Sequence, residues 1–233
     1  MTKETEDKAR LDGRFIKVHR PFILDVQEGR YTPNDLLFFS AIKMVATTIH
    51  MTDMAVTSVD ILLELTGFAR KDRNRKMVIE SLNSLAEGNL IKVYCDISLQ
   101  DENKDIKNSD VLYIEITEKV NDKESFTQLR HFEFNDIVHS GERNPAKMLL
   151  LYCTITVDVF EKSELKQTNI SNEKLSTKCG IDKKTVTKYI QKLEEIKVLY
   201  RKYVQFKDED GAIKTKNVFT RYDWRDFIES RYM

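Results

Sequence analysis

The strongest constraint on the fold is that the sequence repeats itself across two halves. Four stretches of the first half align, in the same order, with stretches of the second half. The aligned pairs are 19–26 with 131–138, 36–42 with 149–155, 62–68 with 175–181, and 78–91 with 186–199. Matches that keep one order over a nearly constant offset predict two tandem copies of one domain, related by internal duplication.

The boundary between the copies is predicted at 118–125, where "EKVNDKES" is polar and has no hydrophobic pattern. This linker would separate a first domain at 14–117 from a second domain at 126–233. The charged residues 1–13 lack the apolar segment that a signal peptide requires, so we expect them to form a disordered tail.

The second copy carries the clearer signals for individual elements. An apolar helix is expected at 145–160, and a second helix begins after the N-cap residue Ser171 and ends at Gly180. After a third helix, two runs rich in β-branched and aromatic residues, 198–206 and 217–222, predict a hairpin around an Asp-Gly turn.

The first copy follows the same order with weaker signals. Its expected elements are a helix at 34–51, a helix capped by Thr57 and ended by Gly67, a helix at 72–88, and strands at 90–97 and 111–116. Each copy also opens with a strand-like segment, at 14–24 and 126–134, which we expect to pair with the hairpin of its own copy. Between the glycine and the first valine of the next helix, the first copy has "FARKDRNRKM", which is basic and five residues longer than "IDKKT" of the second copy.

Helix, helix, turn, helix and hairpin is the element order of a winged helix-turn-helix domain. The predicted fold is therefore mainly α with small antiparallel β wings (α+β), arranged as two tandem winged helix-turn-helix domains.

The third helix of the second copy combines an apolar stripe with a polar face. Asp182 is its expected cap, and Val186, Tyr189, Ile190 and Leu193 recur at three- and four-residue spacing. In a helix-turn-helix, the helix after the turn lies in the major groove, where lysines neutralise phosphates and Thr, Gln, Asn or Arg reach base edges.

The candidate DNA-binding residues are the polar residues of the two third helices and of the second hairpin. In the second copy they are Lys183, Lys184, Thr185, Thr187, Lys188 and Gln191; in the first copy they are Arg70, Lys71, Arg73, Asn74, Arg75 and Lys76; in the hairpin they are Lys207, Lys214 and Lys216. An ordinary solvated helix face is the alternative interpretation. The position of the third helix between the turn glycine and the hairpin favours DNA contact.

Nothing in the sequence indicates catalysis. The glycines form no phosphate-binding loop, and the four histidines have no metal-ligand spacing, so we expect no enzyme activity, no cofactor and no metal. His19 and His131 align with each other, which predicts a repeated structural role. Three scattered cysteines are typical of a reducing cytoplasm, and no apolar run is long enough to span a membrane.

The stretch "NEKLSTKCGIDKKTVTKYIQKLEEIKVL" at 172–199, with the tandem arrangement, resembles the winged-helix replication initiators and replisome-organiser proteins of plasmids and phages of low-GC Gram-positive bacteria. The resemblance implies sequence-specific binding of double-stranded DNA at repeated sites of a replication origin or operator. It also implies self-association, as in a homodimer, and contact with replisome proteins. A transcription regulator of a mobile element and a winged-helix protein–protein adaptor are the alternatives.

Overall fold

The computed structural model describes residues 13–49, 52–103, 105–119, 124–161, 166–207 and 210–232, and it is a mixed α+β structure with small antiparallel sheets, as predicted. The predicted tail thus lies outside the described residues except for Gly13, and so does the middle of the predicted linker.

The first half contains five strands and four helices among the described residues. In chain order they are β1 Phe15–His19, α1 Arg20–Gln27, α2 Pro33–Val45, β2 Thr47–Ile49, β3 Thr52–Thr57, α3 Val59–Leu65, α4 Asp72–Glu87, β4 Ile91–Tyr94 and β5 Leu112–Ile116.

The second half follows a similar order. Its elements are β6 Phe126–Arg130, α5 His131–Val138, α6 Pro145–Glu161, α7 Asn172–Cys179, α8 Lys183–Glu195, β7 Leu199–Lys207, β8 Ile213–Arg221 and, after a short 3-10 turn at Tyr222–Trp224, α9 Arg225–Arg231.

Two predicted boundaries in the first half are wrong. The helix expected at 34–51 ends at Val45, because the β-branched residues that follow form β2. The cap of α3 is Ser58, whose hydroxyl accepts a hydrogen bond from the backbone N–H of Ile61. Thr57 is instead the buried last residue of β3.

The two opening strands pair with each other and not with the hairpins, contrary to the prediction. β1 and β6 form a two-stranded antiparallel sheet in which Phe15 faces Arg130 and His19 faces Phe126. The partner positions at the hairpins are occupied by segments that follow the first long helix of each half. β3 pairs with β5, and Thr168 forms a single bridge with Phe219 of β8.

The opening segments also stop being strands earlier than predicted, because α1 and α5 begin at Arg20 and His131. Their buried positions match at an offset of 111: Ile23 corresponds to Phe134, and Val26 to Ile137. His131 therefore corresponds to Arg20 and not to His19, so the predicted equivalence of the two histidines is wrong by one residue.

The two halves share one hydrophobic core. Residues 35–42 of α2 are all buried, and so are residues 148–157 of α6. A helix that is buried on every side needs partners all around it. α2 and α6 therefore pack against each other as well as against the helices of their own half.

One ion pair lies inside this core. The guanidinium of Arg221, at the end of β8, donates to Oε1 of Glu133 on α5 at 2.5 Å, and the two side chains are 0% and 2% exposed. The second carboxylate oxygen of Glu133 accepts the backbone N–H of Arg130 at 2.8 Å. Glu133 stands at the position of α5 that corresponds to the buried Phe22 of α1, and its pair with Arg221 connects β8 to α5.

We expect Glu133→Ala to destabilise the protein by about 3–5 kcal/mol, because Arg221 would lose its buried carboxylate and keep only the half-exposed Asp223, 3.4 Å from its Nε. Urea unfolding followed by circular dichroism measures this free energy. Glu195→Ala, which removes an exposed carboxylate, is the matched control and should change it little. Equal effects of the two substitutions would contradict a structural role for the buried pair.

Candidate nucleic-acid interface

In the second half, α7 and α8 meet at a tight turn whose geometry follows from three residues. The hydroxyl of Ser171 caps α7, as predicted, by accepting the N–H of Lys174. Gly180 ends α7 in the left-handed region with φ 59°, as predicted, and Asp182 caps α8 by accepting the N–H of Thr185 at 2.9 Å. Hydrogen bonds from Thr185 lower the pKa of Asp182, so the cap is charged at neutral pH.

The predicted apolar stripe of α8 is buried in full, which leaves the opposite face to solvent. Lys183, Lys184, Lys188 and Gln191 are exposed, and Thr185 and Thr187 are half-buried. We call these six residues the α8 face.

Some members of the α8 face are already engaged. Lys183 pairs with Glu173, and Lys188 pairs with Glu142 at 2.6 Å. The hydroxyl of Thr187 donates to the carbonyl of Lys183 and accepts from the amide of Asn172 at 3.1 Å. Within the described part of the chain, the side chains of Lys184 and Gln191 make no hydrogen bond or ion pair, which leaves them available to a ligand.

The β7–β8 hairpin stands beside the α8 face. Asn217 of β8 donates to Asn172, whose amide in turn donates to Thr187, so side chains connect hairpin, α7 and α8. A groove of about 490 Å³ runs between them and is lined by Lys183, Tyr203, Lys216 and their neighbours.

The three hairpin lysines predicted to contact DNA all lie on this ribbon. Lys207 and Lys214 are exposed, and Lys216 is half-buried with its ammonium group 5.2 Å from the ring centre of Phe206.

The corresponding motif of the first half consists of α3, Gly67 and α4, and most of its predicted contact residues are engaged within the chain. Arg75 donates to both carboxylate oxygens of Asp60 on α3, at 2.8 and 3.1 Å, and this bond lowers the pKa of Asp60. Arg70 pairs with Glu64 at 2.7 Å.

Two further candidate residues of the first motif also have partners within the chain. Asn74 donates to the carbonyl of Ala69 at 2.8 Å, and Lys76 lies 3.7 Å from Glu80. Lys71 and Arg73 are exposed, and their side chains make no hydrogen bond or ion pair with any residue that the structure describes. Three of the five cations in this basic stretch, Arg70, Arg75 and Lys76, therefore lie beside carboxylates of the same motif.

The two motifs are neighbours, because residues 138–144 after α5 lie against both of them. A Cβ atom on Gly67 would lie 2.9 Å from the carbonyl oxygen of Val138 and 3.2 Å from Nδ1 of His139. Glu142 holds Lys188 of α8, while Arg143 and Asn144 line a groove together with Lys71, Arg73 and Lys76 of the first motif. Sequence analysis missed Glu142 and Arg143, since a loop residue carries no periodic signal of the motif that it contacts.

The described residues also bear on metal binding, thiol chemistry and membrane insertion. They contain no group of three or more His, Cys, Asp or Glu side chains that could hold a metal ion. Cys95 is exposed, and Cys153 and Cys179 are buried as free thiols whose pKa values are raised by burial. Among the helices described, none is long and apolar enough to cross a membrane.

Comparison with known proteins adds no relative: no family model, no curated protein and no solved structure matches the chain.

The contact between Gly67 and the backbone of Val138 can be tested by substitution, with Gly180 as the control position. Gly67 and Gly180 both have positive φ, 72° and 59°, so alanine at either position costs about 1–2 kcal/mol of backbone strain. A Cβ at Gly180 would meet no described atom within 4 Å, whereas one at Gly67 would press on the backbone of Val138. We expect Gly67→Ala to lower the unfolding free energy measurably more than Gly180→Ala. Equal losses in urea unfolding would show that the two motifs are not in this contact.

Proposed function

We propose that each half is a winged helix-turn-helix unit, that the two units arose by duplication, and that the protein binds double-stranded DNA in a sequence-specific manner. The repeated element order supports the duplication. A second support is the match of buried positions between α4 and α8 at a constant offset of 108: Val78 with Val186, Leu82 with Ile190, and Leu85 with Leu193.

The observation that carries the DNA-binding proposal is the exposed polar face of α8, which follows a left-handed glycine and stands beside a lysine-bearing hairpin. In this position a helix can enter the major groove while its apolar stripe stays buried. Lys184 would neutralise a backbone phosphate. Gln191 has a side-chain amide whose N–H donor and carbonyl acceptor can both pair with an adenine edge.

The biological role that we propose is initiation of plasmid or phage replication at origin repeats in the cytoplasm, with homodimers and replisome proteins as partners. This role rests on the sequence resemblance at 172–199. A transcription regulator would use the same DNA contacts, so the two roles differ in partners and not in the α8 face.

A protein–protein adaptor is the second candidate, and one observation favours it. Tyr203 and Ile213 lie on the β7–β8 hairpin with 62% and 68% of their surface exposed. Exposed aromatic and aliphatic side chains on a two-stranded ribbon are suited to contact with another protein.

We expect Lys184→Ala together with Lys188→Ala to weaken duplex binding at least about tenfold. Two phosphate contacts and their counterion release would be lost, since Lys188 would exchange its partner Glu142 for a phosphate on binding DNA. Fluorescence anisotropy with a labelled duplex at low salt measures the dissociation constant. Arg225→Ala with Arg231→Ala is the matched control, since it also removes two positive charges but from α9. Thermal unfolding should show that both double variants remain folded.

The salt dependence of binding separates the DNA-binding proposal from the adaptor. A DNA-binding protein that contacts several phosphates loses affinity steeply as the salt concentration rises. If the wild-type protein binds no duplex even at low salt, the DNA-binding proposal is wrong and the adaptor remains.

The replication role has its own test. We expect the gene to support autonomous replication of a plasmid that lacks an initiator, and we expect the Lys184 and Lys188 double variant to lose this activity. Transformant counts in a low-GC Gram-positive host provide the measurement. Silencing of a neighbouring promoter without plasmid replication would instead identify a regulator.

A further inference from the structure

A second cationic surface lies between the two halves, outside the α8 face. It is a groove of about 660 Å³ between the first motif and the loop that connects α5 to α6. We call it the interhalf groove, and its charged residues are Lys71, Arg73, Lys76, Glu80 and Arg143.

The interhalf groove is strongly cationic. Four of its five charged side chains are positive, and the one acid, Glu80, has Lys76 as its neighbour at 3.7 Å. Lys71, Arg73 and Arg143 are exposed, and none of them makes a side-chain hydrogen bond or ion pair with a described residue. Three unpaired cations around one groove repel each other, which a bound anion would relieve.

The interhalf groove also lies next to both motifs. Arg143 follows Glu142 directly, and Glu142 holds Lys188 of the α8 face at 2.6 Å. On its other side the groove is formed by the residues that start α4. A strand of DNA backbone that leaves the α8 face toward the first half would therefore pass Arg143.

We propose that the interhalf groove binds the phosphate backbone of the same DNA duplex that the α8 face contacts, with Arg143 as its central contact. This inference rests on the proposed function. The guanidinium of Arg143 can donate two parallel hydrogen bonds to one phosphate, which a lysine cannot do. Lys71 and Arg73 of the first half bind adjacent phosphates, so that both halves hold one duplex.

Arg143 is the residue to test, because it belongs to neither motif and was not among the residues that the sequence pointed to. We expect Arg143→Ala to weaken binding of a labelled duplex of about 25 base pairs, roughly two helical turns, by about tenfold. The plot of log affinity against log salt concentration should become shallower by about 0.9, the value of one lost phosphate contact. Arg143→Lys keeps the charge, so its salt dependence should stay close to that of the wild type.

Three comparisons decide the result. Arg225→Ala removes the same side chain from α9 and should leave both affinity and slope unchanged. If the duplex responds to Lys184→Ala but not to Arg143→Ala, the interhalf groove is not a DNA contact, while the proposed function stands. If the wild-type protein binds no duplex at any salt concentration, both proposals fall together.

The phosphate could also come from a free nucleotide, and a further arm distinguishes that source. Inorganic phosphate and ATP at millimolar concentration should change the thermal midpoint of the wild type and of Arg143→Ala equally. A stabilisation by ATP that disappears in Arg143→Ala, with unchanged duplex binding, would overturn the proposal in favour of a nucleotide site.

Discussion

The arrangement of the molecule depends on the contact between two helices that are buried on every side, α2 and α6. A helix with a single apolar stripe can be covered by its own domain, but each of these helices has a run of at least eight consecutive buried residues. Packing of the remaining side against the corresponding helix of the other half removes its apolar surface from water. The halves therefore cannot be separated without exposing a large apolar surface to water.

This shared core brings the two motifs next to each other. Because β1 also pairs with β6, the loop after α5 is held against the turn at Gly67 on one side and against α8 on the other. Two units joined by a free linker would sample many relative orientations. Here the spacing of the two candidate surfaces is set by packing, which would restrict the sites on DNA that both could contact.

The two halves differ in how their charged side chains are paired. In the first motif, Arg75 is bound to Asp60 and Arg70 to Glu64, while Lys71 and Arg73 of the same basic stretch are exposed. In the second half, Glu133 stands where the first half has Phe22, and it binds Arg221 in the core. Residue counts alone would rank the first motif as the stronger cation cluster; with these ion pairs formed, Lys71 and Arg73 are its cations without a described partner.

The sequence by itself determined the features that depend on neighbouring residues: the α+β class, the caps at Ser171 and Asp182, the turn at Gly180 and the buried stripe of α8. These follow from spacing and backbone preference within a few residues, which is why they could be predicted. Only the tertiary structure decided that β1 pairs with β6, that Arg75 is engaged by Asp60, and that Arg143 lies beside the first motif. Strand partners and ion pairs join residues far apart in the chain, and local patterns contain no information about which distant group packing will bring within reach.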